Sequence, residues 1–130
     1  MKSQCEDRIQ LWVEALESGK YTQGRRALCR VKHEGRCHCV LGVALDVFMK
    51  HNPGVIREDE GPKCIYQHAG EIKIGTLPKV VAEWYGIDFG GELTRWFFNK
   101  RFLSTLNDTG WSLKALAGVI RRGYLARVNC

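Results

Sequence analysis

The residue types best suited to binding chemistry are concentrated in a basic segment between positions 20 and 36. This segment contains six lysine or arginine residues and one acid, Glu34. Arginine presents paired N–H donors that match two oxygens of a phosphate, so the local excess predicts a site for a phosphate-bearing ligand. The cations are Lys20, Arg25, Arg26, Arg30, Lys32 and Arg36.

Gln23 and Gly24 lie directly before Arg25 and Arg26, and we include all four in the predicted site. A glycine has no Cβ, so the backbone at Gly24 can approach a ligand closely. The competing interpretation is a solvated positive face on an exposed β-ribbon. The local excess of charge, and not any single side chain, is therefore the reason for predicting a ligand.

Three aromatic residues, Tyr21, Trp84 and Trp111, are assigned to the same predicted site. Each ring has a face on which a nucleobase could stack, provided that the fold gathers the rings around the arginines. Tryptophan is also a common core residue, so burial of Trp84 and Trp111 is the competing interpretation.

Asn107 and Asp108 complete the predicted site, and both precede Gly110 and Trp111. Their side chains could read a ribose hydroxyl or a base edge. The residue types favour a simpler role, because asparagine and aspartate make local turn hydrogen bonds and Ser112 is a good N-cap for a following helix.

Cysteine and histidine are concentrated in the same region, at Cys29, His33, Cys37 and Cys39. Zinc takes four such ligands in a tetrahedral arrangement, and a hairpin can bring two of them together. The spacing is not that of a Cys-x2-Cys knuckle, so it favours packed thiols and predicts no metal or other cofactor.

A cysteine hydrolase is a further interpretation. Cys39 precedes a predicted helix whose dipole would lower the pKa of the thiol. Gln23, Cys39, His51 or His68, and Asn107 follow the chain order of papain-like enzymes. No local signature surrounds Cys39, so the sequence predicts no catalytic residues and favours a protein that is not an enzyme.

The pattern of apolar residues and turn signals predicts the elements that position these residues. It indicates one compact α+β domain over residues 1–130, with four to five helices and two short antiparallel β-hairpins. The hairpins are predicted near residues 27–40 and 64–74, with a solvated acidic loop over 52–63. The character of residues 93–98 stays undecided. Four apolar stripes mark helices, beginning at Ile9, Leu41, Leu77 and Leu113.

Composition limits the class of protein. Hydrophobic residues make up 45% and charged residues 26%, which are globular proportions, and the net charge of +6 favours an anionic partner. No apolar run approaches the roughly 20 residues of a membrane span, and the N-terminus lacks an apolar signal segment. We therefore expect a cytoplasmic protein with reduced cysteines and no membrane partner.

Four patterns, taken in order, resemble a family of small bacteriophage and prophage accessory proteins. They are Tyr-x-Gln-Gly at 21–24, Cys-Val-Leu-Gly-Val-x-x-Asp at 39–46, Leu-Pro-x-x-Val-x-x-Trp-x-Gly at 77–86 and Leu-Asn-Asp-x-Gly-x-Ser at 106–112. Members of that family often carry further cysteines where Val40 and Ala44 stand here. The resemblance implies a phage setting, with the host cytosol as location, but no activity.

These observations lead to three hypotheses. The first is a phage-encoded, non-enzymatic binding protein that sequesters an anionic nucleotide-like ligand, such as a host defence signal. The second is an inhibitor or adaptor that contacts a host protein through the basic face or the aromatic residues at 96–98. The third is a nucleic-acid-binding protein. An oligomer is compatible with all three.

Overall fold

The computed structural model of the protein describes residues 4–33, 35–73, 77–86 and 103–123. Within these ranges it contains five helices and a sheet of six strands, which confirms the predicted α+β class. The helices are α1 (Gln4–Glu17), α2 (Val40–His51), α3 (Lys79–Tyr85), α4 (Leu103–Asp108) and α5 (Leu113–Gly123). The strands are β1 (Thr22–Gln23), β2 (Cys29–Lys32), β3 (Gly35–His38), β4 (Ile56–Glu60), β5 (Lys63–His68) and β6 (Glu71–Lys73).

The central helix α2 is buried on nearly all sides, as its apolar sequence predicts. The α1 stripe packs against it, and the indole N–H of Trp12 donates to the carbonyl oxygen of Val40 at 3.0 Å. Helix α3 begins after Pro78 and ends at Gly86, which adopts the left-handed conformation typical of a helix C-terminus. Ser112 caps α5 by accepting a hydrogen bond from the N–H of Ala115 at 3.1 Å.

The sheet runs in the order β1-β3-β2-β5-β4, and β6 also pairs with β5. Strand β1 is parallel to β3, whereas the other described pairs are antiparallel. Both predicted hairpins are present, as β2–β3 and β5–β6. Ala69 and Gly70 form the two-residue turn of the second hairpin, with φ values of 49° and 84°. The predicted partner of Ile65, Ile74, lies outside the described residues.

The acidic loop predicted over 52–63 is wrong for residues 56–60, which form β4. Strand β4 pairs with β5 from Ile56 opposite Gln67 to Glu60 opposite Lys63. It lies at the edge of the sheet, where charged side chains reach water and discourage pairing with another chain. The residues 93–98, left undecided by the sequence, lie outside the described ranges.

The described part of the chain contains no helix that is both long and apolar enough to cross a membrane.

Candidate functional site

The segment that follows β1 carries the predicted arginines, and β3 fixes where this segment begins. The N–H of Gly24 donates to the carbonyl oxygen of His38 at 2.8 Å. A Cβ built on Gly24 would lie 3.1 Å from the backbone of Cys37. A glycine at position 24 relieves this tight approach to β3, and close packing is thus a reason for the residue that involves no ligand.

Asn107 fixes the same segment from the other side. Its side chain is fully buried, and Oδ1 accepts from Gln23 Nε2 at 2.9 Å and from the N–H of Val40 at 3.1 Å. Its Nδ2 donates to the carbonyl oxygen of Gly24 at 2.8 Å and to Asp108 Oδ1 at 3.2 Å. All four hydrogen-bonding positions of this amide are thus occupied, so Asn107 joins β1, α2 and α4 and has no capacity left to read a ligand.

Asp108 and Trp111 extend this connection. Asp108 Oδ1 accepts from the N–H of Arg26 at 2.9 Å, and the carbonyl oxygen of Trp111 accepts from Gln23 Nε2 at 2.7 Å. Arg26 has a φ of 66°, a conformation that residues other than glycine rarely adopt. The Asp108 contact holds this conformation, so the turn residues of the sequence position the arginines instead of forming a separate site.

The arginines surround a surface hollow, which we call the basic recess. Its volume is about 490 Å³. The guanidinium Nε of Arg30 donates to the carbonyl oxygen of Arg25 at 2.7 Å, which ties the two arginine-bearing segments together. The described residues that line the basic recess are Gln23, Gly24, Arg25, Arg26, Arg30 and Lys32.

Arg30 and Lys32 were counted in the basic segment but were not assigned to the predicted site, although the sequence contained the signal for them. They stand at positions i and i+2 of β2 and therefore point to the same face of the sheet. In the sheet, Arg30 lies between Cys37 of β3 and Lys63 of β5. The alternation of β2 could have identified both residues.

The four cations of the basic recess form no ion pairs with described carboxylates, although the Asp108 carboxylate accepts from the backbone N–H of Arg26. Elsewhere in the same ranges, arginines do have such partners. Examples are Arg36 with Asp59 at 2.8 Å, Arg57 with Asp46 at 3.7 Å, and Arg121 with Glu17 at 2.7 Å.

Two of the three predicted stacking residues lie elsewhere. The hydroxyl of Tyr21 donates to Asp46 and accepts from Lys50 Nζ at 3.1 Å. The ring of Trp84 packs beneath the guanidinium of Arg8, whose carbon lies 4.8 Å from the ring centroid. Trp111 is nearer to the basic recess through Gln23, but it is half-buried against the core and does not line the recess.

The described cysteines are buried in the core. Cys29, Cys37, Cys39 and Cys64 are free and buried. Cys5 is disulfide-bonded, so the expectation of reduced cysteines is wrong for this residue. The Sγ atoms of Cys29 and Cys64 lie 2.8 Å apart, and burial raises the pKa of Cys29 to about 12. In the described ranges no three His, Cys, Asp or Glu side chains are grouped closely enough to hold a metal, and His33 is exposed in the β2–β3 turn.

The cysteine-hydrolase interpretation required a lowered pKa at Cys39, and the surroundings of this thiol favour the opposite shift. The Sγ of Cys39 accepts from the N–H of Gly42 at 3.4 Å and so caps α2, but burial outweighs this and raises the pKa of the thiol to about 11. The candidate base His51 instead stacks on Trp84, at 6.0 Å between ring centroids. A buried thiol with a raised pKa lacks the thiolate character that a nucleophile needs.

His38 is a buried polar residue that sequence reasoning missed. It is 7% exposed, its ring packs edge-on against Tyr21, and neither ring nitrogen has a described hydrogen-bond partner. Burial lowers its pKa below the ordinary 6.5, assisted by Arg57, Arg36 and Lys50 and opposed by Asp46. The folded state therefore favours the neutral ring.

We expect His38 to make the protein less stable in acid. The pKa of His38 is lower in the folded state than in the unfolded state. The contribution of its neutral ring to the free energy of unfolding is therefore fully present above pH 6.5, and it is lost as pH falls from 6.5 through the folded-state pKa. Urea denaturation of wild type and His38→Phe across this range measures the effect. The stability difference between the two proteins should change with pH in this window, and a constant difference would contradict the assignment.

Residues 1–124 match a protein-family model that is described as a domain of unknown function (DUF8296). No curated protein matches the sequence, and no solved structure matches it.

Proposed function

Given that the chain belongs to the DUF8296 family, whose description assigns no activity, we propose its function from the basic recess: it is a non-enzymatic protein that binds a phosphate-bearing, nucleotide-like ligand. The resemblance to phage accessory proteins suggests a setting for this activity, in which the protein sequesters a host signalling nucleotide. Binding without turnover agrees with the raised pKa of Cys39, the strongest nucleophile candidate in the sequence.

One observation carries the proposal: four cationic side chains line one concave surface and have no described carboxylate partner. Placing like charges together is unfavourable unless a counter-charge is supplied. An anionic ligand supplies that charge, and charge-assisted hydrogen bonds to its oxygens are stronger than those between neutral groups. Because the recess is open to solvent, salt should weaken the interaction markedly.

The decisive experiment compares two double variants that remove the same amount of charge. Arg25→Ala/Arg30→Ala removes two cations of the recess, and Lys114→Ala/Arg122→Ala removes two exposed cations of α5. We expect the first to weaken nucleotide binding by roughly a hundredfold and the second to leave it within about twofold of wild type. Thermal shift identifies the nucleotides that bind, and calorimetry measures their affinity. Equal losses in both variants would show that net charge alone, and not the recess, attracts the ligand.

Arg26→Gly separates binding from folding. Glycine accepts the φ of 66° at this position without strain, and the backbone N–H that donates to Asp108 is retained. We expect the free energy of unfolding to stay within about 1 kcal/mol of wild type, because lost strain offsets the greater freedom of the unfolded chain. Nucleotide affinity should fall by roughly tenfold. Unchanged affinity would remove Arg26 from the site.

A second candidate function, contact with a host protein, is favoured by an apolar patch on the other end of the sheet. Ile56 and Ile72 are 58% and 59% exposed and flank Gln67, with which both are in register. A partner bound there would be released by Ile56→Glu/Ile72→Glu and retained by Arg25→Ala/Arg30→Ala, the opposite of the pattern expected for the nucleotide.

A further inference from the structure

We infer that the basic recess selects its ligand by phosphate number: it takes a pyrophosphate-type group, two phosphates joined through an anhydride oxygen, and leaves any attached base in solvent. This inference rests on the proposed function and narrows it. Nucleoside diphosphates and triphosphates carry such a group, and so does inorganic pyrophosphate. All of these ligands share the chemistry on which recognition would depend.

The first step is the balance of charge. Arg25, Arg26, Arg30 and Lys32 together carry four positive charges around the recess, and none of the four side chains forms an ion pair with a described carboxylate. A single phosphomonoester carries about −1.5 to −2 at neutral pH, so it neutralises at most half of this charge. A second phosphate brings further negative charge and further acceptor oxygens into the same hollow.

The second step is the distribution of the cations. Arg30 and Lys32 lie two residues apart on one face of β2, a separation of about 6.6 Å along the strand. Arg25 and Arg26 approach from the connection between β1 and β2. Because Arg30 uses Nε to hold the Arg25 carbonyl oxygen, its two terminal nitrogens stay available to phosphate oxygens. Cations spread in this way can each contact a different phosphate of a linear group.

The third step is the composition of the wall. None of the six described lining residues has an aromatic or a branched aliphatic side chain. Tyr21 is engaged by Asp46 and Lys50, and Trp84 packs with Arg8 away from the recess. Stacking on such rings is how proteins usually hold a nucleobase. The described wall can therefore bind phosphate oxygens but offers no ring on which a base could stack.

Calorimetry on the full chain, in buffer containing EDTA, tests this inference with adenosine, AMP, ADP, GDP, inorganic phosphate and inorganic pyrophosphate. We expect ADP to bind roughly tenfold to a hundredfold more tightly than AMP, and pyrophosphate to exceed phosphate by a similar factor. ADP and GDP should differ by less than about threefold, and adenosine should not bind. AMP equal to ADP, or a strong preference between ADP and GDP, would overturn the inference.

Lys32→Ala provides a readout that a general loss of folding would not change. Removing one cation should reduce the ratio of ADP affinity to AMP affinity by several-fold, whereas the control Lys114→Ala should leave that ratio unchanged. An unchanged ratio in Lys32→Ala contradicts the selection by phosphate number. A single-stranded oligonucleotide that binds more tightly than ADP, with affinity falling steeply in salt, would favour a nucleic-acid site and overturn it as well.

Failure of this inference differs from failure of the proposed function. If none of the phosphate ligands binds, or if Arg25→Ala/Arg30→Ala binds them as well as wild type does, the proposed function is wrong. If AMP and ADP bind equally and both depend on these arginines, the proposed function stands and the selection by phosphate number is wrong.

Discussion

Gly42→Ala is expected to destabilise the protein by about 3 kcal/mol or more, the largest loss that we anticipate from one added methyl group. A Cβ on Gly42 would lie 1.8 Å from the carbonyl oxygen of Leu28 and 2.7 Å from its carbonyl carbon. Both atoms belong to the backbone beside β2, so no side chain can rotate away. The same carbonyl accepts from the N–H of Cys39 at 3.2 Å, so the clash also disrupts the start of α2. Urea denaturation measures the loss.

Gly118→Ala is the matched control, because Gly118 also lies within a helix. The three heavy atoms nearest to a Cβ there all belong to the flexible Arg122 side chain, with Nη1 at 3.4 Å. Alanine has the higher helix propensity, so this variant should gain about 0.5–1 kcal/mol. If Gly42→Ala lowered the free energy of unfolding by less than about 1 kcal/mol, this would contradict the close packing of α2 against the backbone beside β2.

Local patterns were sufficient to predict most of the helices and both hairpins. The α1 stripe at Ile9, Trp12, Val13 and Leu16 is buried throughout, because a period of 3.6 residues places these side chains on one face. The Ala69-Gly70 turn is likewise a local property, since Gly70 has no Cβ and adopts a positive φ readily, whereas Ala69 at φ 49° is an uncommon case for a residue with a Cβ. These features depend on neighbours within a few positions, and such neighbours are visible in the sequence.

Strand β4 could not be predicted in this way. Its residues, 56–60, are mostly acidic and resemble a solvated loop when they are considered alone. They form a strand because β5 offers an unpaired edge, which a pattern in β4 itself does not reveal. An edge strand tolerates charge on its exposed side chains, so tertiary pairing overrides the local preference.

In the candidate site, too, some residues could be predicted from local sequence and others depend on tertiary packing. Arg25 and Arg26 were found because charge density is a property of composition, and the basic recess brings them together with Gln23 and Gly24. The positions of Tyr21 and Trp84 depend on which helices pack against which strands. Composition contains no information on that packing, so the sequence could name candidate rings but could not show that the two point elsewhere.

Asn107 is the clearest case of a residue whose role depends on distant partners, and Asn107→Ala should lower stability by about 3 kcal/mol. The change leaves the N–H of Val40 and the carbonyl oxygen of Gly24 without the partner that each has in the buried amide. Unpaired buried polar groups keep their full desolvation cost, and no other described side chain replaces the amide at either atom. Urea denaturation of the variant and of wild type measures this difference.

Asn107→Asp keeps the shape of the side chain and tests the hydrogen-bond assignment through pH. One carboxylate oxygen can still accept from Gln23 and Val40, but the other faces the Gly24 carbonyl oxygen and Asp108.

Burial and the nearby Asp108 would raise the pKa of the introduced carboxyl in the folded state, since only the protonated form can donate to Gly24. A raised folded-state pKa means that stability is present at low pH and lost as pH rises through that value. Relative to wild type, the variant should therefore recover stability between about pH 7 and pH 5, and Asn107→Ala should not. Recovery in neither variant would show that the Nδ2 donor contributes little, and that Asn107 acts mainly by accepting the hydrogen bond at the start of α2.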